Sequence, residues 1–343
     1  MDNRSPLVSI GLPVYNGENF LRASLGSILN QTFTDFELVI SDNASTDSTE
    51  EIVREAAAQD SRIRYFRNDV NGGAAWNYNR VFELSRGKYF KWAAHDDIMH
   101  CGYLMSCVAV LEADSDIVLC NSLTGQIDAC GKILTHEYVS VGDVLDPAIS
   151  TAERFGELVC ERGGWTRIFG VIRSDVLKST PLIAKYIGSD LALLGELGLK
   201  GKVIDLEEFL FWRREHEQTS TRGKYTPRRK RLTWFDTNQE VLTTVPEWRL
   251  NWELVKTILR QNLDGTTKIR CIGHVMRRMW QRWRQLLEDI YFALRDIGAY
   301  LYSSANPNFR TKLRPLIRYF FYLETQAHTL LKSTRLGLIK IFR

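Results

Sequence analysis

Strand-like and helix-like segments alternate over the first 130 residues, and this constrains the fold more than any other feature of the 343-residue chain. LVSIGLPVY reads as a buried strand, after which ENFLRASLGSILNQ sets Phe20, Leu21, Leu25, Ile28 and Leu29 on one helical stripe. FELVISDN is a second strand. STDSTEEIVREAA follows, with Asp47 three residues before Glu50 and Ser48 three before Glu51, the spacing of a capped helix start. RIRYFRN, KYFKWAA and DIVLCNSL read as further strands, separated by the helical AAWNYNRVFELSRG and GYLMSCVAVLEA. Such alternation implies right-handed crossovers and an α/β fold: a Rossmann-like, mainly parallel sheet with helices on both faces. Ligands of such sheets sit beyond the carboxyl ends of the strands. That lines up Tyr15, Asn16, Asp42, Asn43, Asp96 and Asp97 along one rim.

The second half reads differently. From about 130 to 224 strands and helices mix; beyond KYTPRRKRL the chain is mainly helical and basic. The expected division is therefore 1–224, split into 5–130 and 131–224, followed by 225–343. The net charge of +4 hides an asymmetry along that division. Residues 225–343 carry 22 lysines and arginines against 9 acids, whereas the first 224 residues carry 23 against 32. With 44% hydrophobic residues there is ample apolar mass for a core. No run of about 18 apolar residues suggests a spanning helix, and no basic-then-apolar leader is apparent, so a cytoplasmic protein is expected.

The first strand leads into PVYNGENF, neither a G-x-G-x-x-G turn nor a Walker loop, which disfavours a dinucleotide dehydrogenase or a P-loop enzyme. What remains is a rim with acidic residues at strand ends and no glycine nest. Such a rim suits a diphosphate bound through a hard divalent cation, Mg²⁺ or Mn²⁺. The adjacent Asp96 and Asp97 sharpen the point, because neighbouring carboxylates repel unless a cation or donors stand beside them.

SIGLPVYNGENFLRASLGSILNQTFTDFELVISDNASTDST, followed by NGGAAWNYNRVFELSRGKYFKWAAHDD, resembles the nucleotide-binding half of family 2 glycosyltransferases, inverting enzymes of the GT-A fold. The resemblance covers roughly residues 5 to 222. It implies hexosyl transfer from a nucleotide diphosphate sugar, most simply a UDP-sugar, to an acceptor hydroxyl of a lipid-linked or growing surface glycan. By position, Pro13, Tyr15 and Asn16 would shape the base and ribose pocket. Asp42 would accept from the nucleobase beside Asn43, and Asn71 and Gly72 would let backbone approach the nucleotide. Asp97 would be the metal ligand and Asp96 a contact to the ribose or to a metal-bound water. Many relatives carry a further Asp where this chain has Ala94. YIGSDLALLGELGLKG resembles the family's acidic motif under the acceptor site, making Asp190 the candidate base, although Ser189 and Asp190 also suit plain capping. Trp165, in GGWTRIFGVIR, could stack on an acceptor sugar. FWRREHEQTSTRGK resembles an R-x-H pattern that would bring Arg214 and His216 to the diphosphate, His216 also to the metal, with Arg222 and Lys224 on a flap. The alternative reading is a catalytically silent nucleotide-sugar-binding scaffold of the same fold.

In the basic tail an apolar stripe runs through Ile269, Ile272, Met276, Met279 or Trp280, Trp283, Leu287, Ile290, Leu294, Ile297 and Leu301, flanked by arginines. A helix so built suits an anionic membrane surface; packing on the catalytic domain or on a second subunit is the competing reading. No recognition motif points to nucleic acid.

Overall fold

In a computed structural model the described residues are 5–135, 145, 146, 148–160, 164–217 and 245–304. The expected boundary near residue 224, together with Arg222 and Lys224, lies outside them. The strands are β1 (Val8–Val14), β2 (Phe36–Asp42), β3 (Ile63–Arg67), β4 (Tyr89–Trp92), β5 (Ile98–Met99), β6 (Ile117–Ile127), β7 (Ile133–Thr135), β8 (Val171–Arg173) and β9 (Lys202–Arg214). The helices are α1 (Leu21–Leu29), α2 (Thr49–Gln59), α3 (Ala74–Glu83), α4 (Tyr103–Ala113), α5 (Thr151–Cys160), α6 (Ser174–Lys178), α7 (Ser189–Lys200), α8 (Pro246–Arg260), α9 (Gly265–Gln281) and α10 (Trp283–Ser304); a 3₁₀ turn spans Gly164–Phe169.

The strands form one sheet in the order β3-β2-β1-β4-β8-β6-β9-β5, with β7 hairpinned onto β6. The half built from β1 to β4 is parallel, as the alternation predicts. Beyond β4 the sheet is mixed: β8 runs antiparallel to both β4 and β6, while β6 and β9 pair in parallel. Strands β1 and β2 are buried at every residue, which a sheet covered by helices on both faces requires. The register sets Val14 beside Asp42 and Asp42 beside Arg67, so the expected polar residues end their strands along one rim.

The helices α8 and α9 have an inner face that belongs to the compact body. Leu250, Leu254 and Ile258 of α8 repeat every four residues and, with Cys271 and Val275 of α9, close a second apolar cluster against Phe155 and Val159 of α5 and Ala192 of α7. Each such buried aliphatic side chain contributes roughly 1.5–3 kcal/mol. Helix α10 from Arg284 onward belongs to a separate compact unit. Among the described residues no helix is long and apolar enough to cross a membrane.

One buried carboxylate knits the parallel half together. Glu37 of β2 accepts from Ser9 Oγ of β1 at 2.6 Å, from the Arg86 backbone at 2.8 Å and from the Arg64 guanidinium of β3 at 2.7 Å. Burial alone would raise its pKa, but the hydrogen bonds from Ser9, Arg64 and Arg86 outweigh it and hold the carboxyl below 4.5. A depressed folded-state pKa contributes stability that is present above the unfolded value and is lost as pH falls through the folded one. We therefore expect Glu37→Gln to cost about 3–5 kcal/mol near neutral pH. Its denaturation midpoint should depend less on pH below 4.5 than that of the parent. Chemical denaturation at several pH values measures both.

Candidate active site

The acid pair stands where the chain leaves one strand for another. The backbone N–H of Ala93 still donates to Gly11 at 2.8 Å, and β5 then re-enters the sheet by pairing Ile98 with Trp212 of β9. Asp96 and Asp97 occupy the link between them. Arg214, the last residue of β9, grips this link from the side: its backbone N–H donates to Asp97 Oδ1 at 3.0 Å and its Nε to the Asp96 carbonyl at 2.9 Å. Its Nη1 reaches the carbonyls of Asp128 and Ala129, both at 3.0 Å, and its plane lies over the Phe20 ring. Two residues on, His216 Nε2 sits 3.0 Å from Asp96 Oδ2 while its ring packs on Phe20 at 4.5 Å. The R-x-H segment and the acid pair thus form one cluster, in which the Arg214 guanidinium spans main-chain carbonyls.

The electrostatics of the cluster are unbalanced. Among the described residues no cation forms an ion pair with Asp97, which is buried. Burial first, and the neighbouring charge of Asp96 second, push the Asp97 carboxyl up to about 8. For Asp96 burial acts in the same direction, but the His216 hydrogen bond and the charges of His95 and His216 outweigh it and keep its pKa low. A buried carboxylate beside an ionised one, with no cation in contact, has the donor set and charge that fit a divalent ion. Among the described residues no group of three or more His, Cys, Asp or Glu side chains forms a complete cage. The set therefore fits a cation that takes one or two carboxylates and completes its shell with water and phosphate, as Mg²⁺ and Mn²⁺ do.

Asp190 lies on α7 near the same place. The Tyr78 hydroxyl of α3 is pushed above its ordinary pKa by burial and then by the charges of Asp96, Asp97 and Asp190, so all three carboxylates act electrostatically on this phenol. Asp190 lies in the first turn of α7 and is not its N-cap residue. The N-cap position is Gly188, in the left-handed conformation at φ 88°, and no side chain caps the helix. The Oδ1 of Asp190 accepts from the adjacent Leu191 N–H, at 2.9 Å. The buried Ser189 Oγ has no hydrogen-bond partner among the described residues. A helix N-terminus favours the anion, yet here burial outweighs the local backbone hydrogen bonds and raises the Asp190 pKa, the direction that makes a better base.

The expected nucleotide pocket is cross-tied. Asn16, at φ 51°, donates its backbone N–H to Ser45 Oγ, and its side chain accepts from Thr46 N. Asn43 Nδ2 donates to Asn71 Oδ1 at 2.7 Å, and Asn43 Oδ1 accepts from Gly72 N at 3.0 Å. These bonds fasten the Asn71-Gly72 loop to the end of β2. Asp42 is fully buried, with Ser45 N on one oxygen and Tyr65 OH and Arg67 on the other. Pro13 is enclosed in β1, and Tyr15 is exposed at the rim. Trp165 falls within the 3₁₀ turn.

Sequence reasoning passed over Tyr78 and Lys91. Lys91, fully buried on β4, donates to the Phe169 carbonyl and stands over the Tyr103 ring at 4.5 Å; burial lowers its pKa to about 7. A lone lysine inside the apolar run KYFKWAA was the available signal. Nothing in the spacing around Tyr78 marked it.

A rim site of this kind on this sheet order defines a nucleotide-sugar transferase fold of GT-A type. The Glycosyl transferase family 2 profile matches residues 9–150 of the chain. An uncharacterized glycosyltransferase of Rickettsia typhi is 40% identical over 96 residues, 28% of this chain and 29% of its own length. The hyaluronan synthase of Pasteurella multocida is 29% identical over 136 residues, 40% of this chain and 14% of that one. The chain thus spans less than a third of the length of the first of these curated relatives. Among solved structures, S. aureus TarS 1–349 in complex with UDP superposes with a TM-score of 0.60 at 16% identity, covering 92% of this chain and 87% of that one. At that identity the match speaks for the fold.

The grip of Arg214 makes a prediction that separates shape from charge. Arg214→Lys keeps the cation but cannot fork to three carbonyls. We expect it to destabilise the protein by about 1–3 kcal/mol through the carbonyls left unpaired, read as a lowered thermal midpoint without any ligand present.

Proposed function

We propose that the chain is an inverting glycosyltransferase that moves a sugar from a UDP-sugar, with divalent-metal assistance, to a hydroxyl of a lipid-linked or growing surface glycan at the cytoplasmic face of a membrane. One observation carries the reading: the buried Asp96-Asp97 pair is gripped at the sheet rim by Arg214, with His216 Nε2 3.0 Å from Asp96 Oδ2. A single displacement needs charge neutralised at the leaving diphosphate and a carboxylate on the opposite face to receive the acceptor proton. Relatives that carry the names hyaluronan synthase and chondroitin synthase support a glycan acceptor. TarS structures with UDP and UDP-GlcNAc support the donor class.

In this mechanism the Asp190 carboxylate takes the acceptor hydroxyl proton as that oxygen bonds to the anomeric carbon and the bond to the diphosphate oxygen breaks. Asp97, with Asp96 and His216 beside it, would hold Mn²⁺ or Mg²⁺, which when bound neutralises the diphosphate. Arg214 keeps the two aspartates in register, and its own contacts are to main chain rather than to open space. The Asn43-Asn71 bond holds the Gly72 loop at the nucleotide side.

A thermal-shift panel of sugar nucleotides should show one nucleotide stabilising the protein only when Mn²⁺ is added, and Asp97→Asn should abolish that increment. Asp190→Asn should keep the increment and lose about 10²–10⁴-fold in transfer or in slow donor hydrolysis. Tight donor binding by the parent protein with no turnover on any acceptor would overturn the enzymatic reading in favour of a scaffold.

A further inference from the structure

Helices α8 and α9 lie antiparallel. Glu247 at the start of α8 pairs with Arg278 and Arg282 at the end of α9, and Lys268 near the start of α9 donates to the Leu259 carbonyl near the end of α8. Their inner faces are occupied by the second apolar cluster. The outer side is not the polar surface that a solvated hairpin would show. Trp252 is 61% exposed and Leu259 56% on α8; on α9 Ile269 is 72%, Met276 65% and Trp280 78% exposed. Spacings of seven and four residues put each set on one stripe of its helix. On α8 the stripe lies outward of Asn251, which bonds Arg278. On α9 it lies outward of Lys268. The two stripes therefore border each other and make one apolar strip along the hairpin.

Cations edge that strip on both far sides. On α8 Arg249 stacks over Tyr186 at 4.8 Å and Lys256 pairs with Glu253 at 2.7 Å, while on α9 Arg270, whose charge acts on Glu153 of α5, and Arg277 follow the other flank. Soluble surfaces rarely leave so long an apolar strip open. A second copy docked across a two-fold axis would set like charges of the rims against each other, whereas an anionic surface meets both rims favourably. We propose that the outer face of the α8–α9 hairpin seats on an anionic bilayer, with Trp252, Met276 and Trp280 entering the headgroup boundary. This rests on the reading of a membrane-linked acceptor and gives it an orientation. Leu250 of α8 packs directly on Gly188, two residues before Asp190, so the seated hairpin adjoins the helix that carries the candidate base.

The test uses the full chain and phosphatidylcholine vesicles with and without phosphatidylglycerol. Co-sedimentation should require phosphatidylglycerol and weaken with salt. Met276→Ser with Trp280→Ser, and separately Arg270→Glu with Arg277→Glu, should each lower it about tenfold or more. The donor-plus-Mn²⁺ thermal shift should stay unchanged in both variants, which shows that they are folded. Binding that ignores phosphatidylglycerol, or survives both pairs of substitutions, overturns the proposal. So does a wild-type oligomer that the Met276/Trp280 pair dissociates, because the strip is then a subunit contact. Absence of the donor shift in the wild type, with vesicle binding intact, sinks the transferase reading and leaves the seating in place.

Discussion

The contact between Arg214 and the Asp96-Asp97 link is the constraint on which the rest of the site depends. It joins residues 117 positions apart, and it can form only once β9 has paired with both β6 and β5. A backbone N–H and three guanidinium donors are committed to this link and to the β6–β7 turn. The acid pair is therefore held by the mixed half of the sheet although the sequence delivers it from the parallel half. The two halves meet as one rim for this reason.

Geometry alone leaves the pair unstable in charge. Neighbouring carboxylates repel, and burial together with the Asp96 charge pushes the Asp97 carboxyl up. His216 relieves Asp96, whereas for Asp97 the Arg214 N–H and the charges of Arg213 and Lys91 do not outweigh burial and the Asp96 charge. A molecule evolving for stability alone would replace one of the two acids, as a buried unpaired carboxylate contributes nothing to the core. Its presence at the sheet rim, held by the Arg214 N–H, is not explained by packing.

The parallel half was legible because its signals are local. Buried runs such as VSIGLPV, helix periodicity between them and acids at strand ends need no knowledge of distant contacts, and all three survive in the structure. Antiparallel insertion of β8 between β4 and β6 was not legible, because three residues, Val171–Arg173, carry no periodicity. Tyr78 is in the same position: the charges that act on it come from residues distant in sequence. That Asp42 ends its strand at the rim was legible from the residues. What the residues alone could not show is how much of Asp42 and Asn43 is consumed in tying loops together.

The basic helical region posed two competing readings, packing on the catalytic body or lying on a bilayer, and the geometry of a helix removes the conflict. A helix has more than one face. In α8 and α9 the inner face supplies Leu250, Leu254, Ile258 and Val275 to a core shared with α5 and α7, while the outer stripe stays open. The point of contact is not neutral for chemistry. Gly188 holds a left-handed φ of 88°, and a Cβ there would come within 2.7 Å of Leu250, so α8 fixes the turn from which α7 starts. An apolar hairpin that both braces the start of α7 and offers tryptophans outward ties the candidate base to whatever surface the outer face meets. Had the hairpin been only a solvated appendage, its outer residues would be polar and the close approach at Gly188 would have no reason to exist.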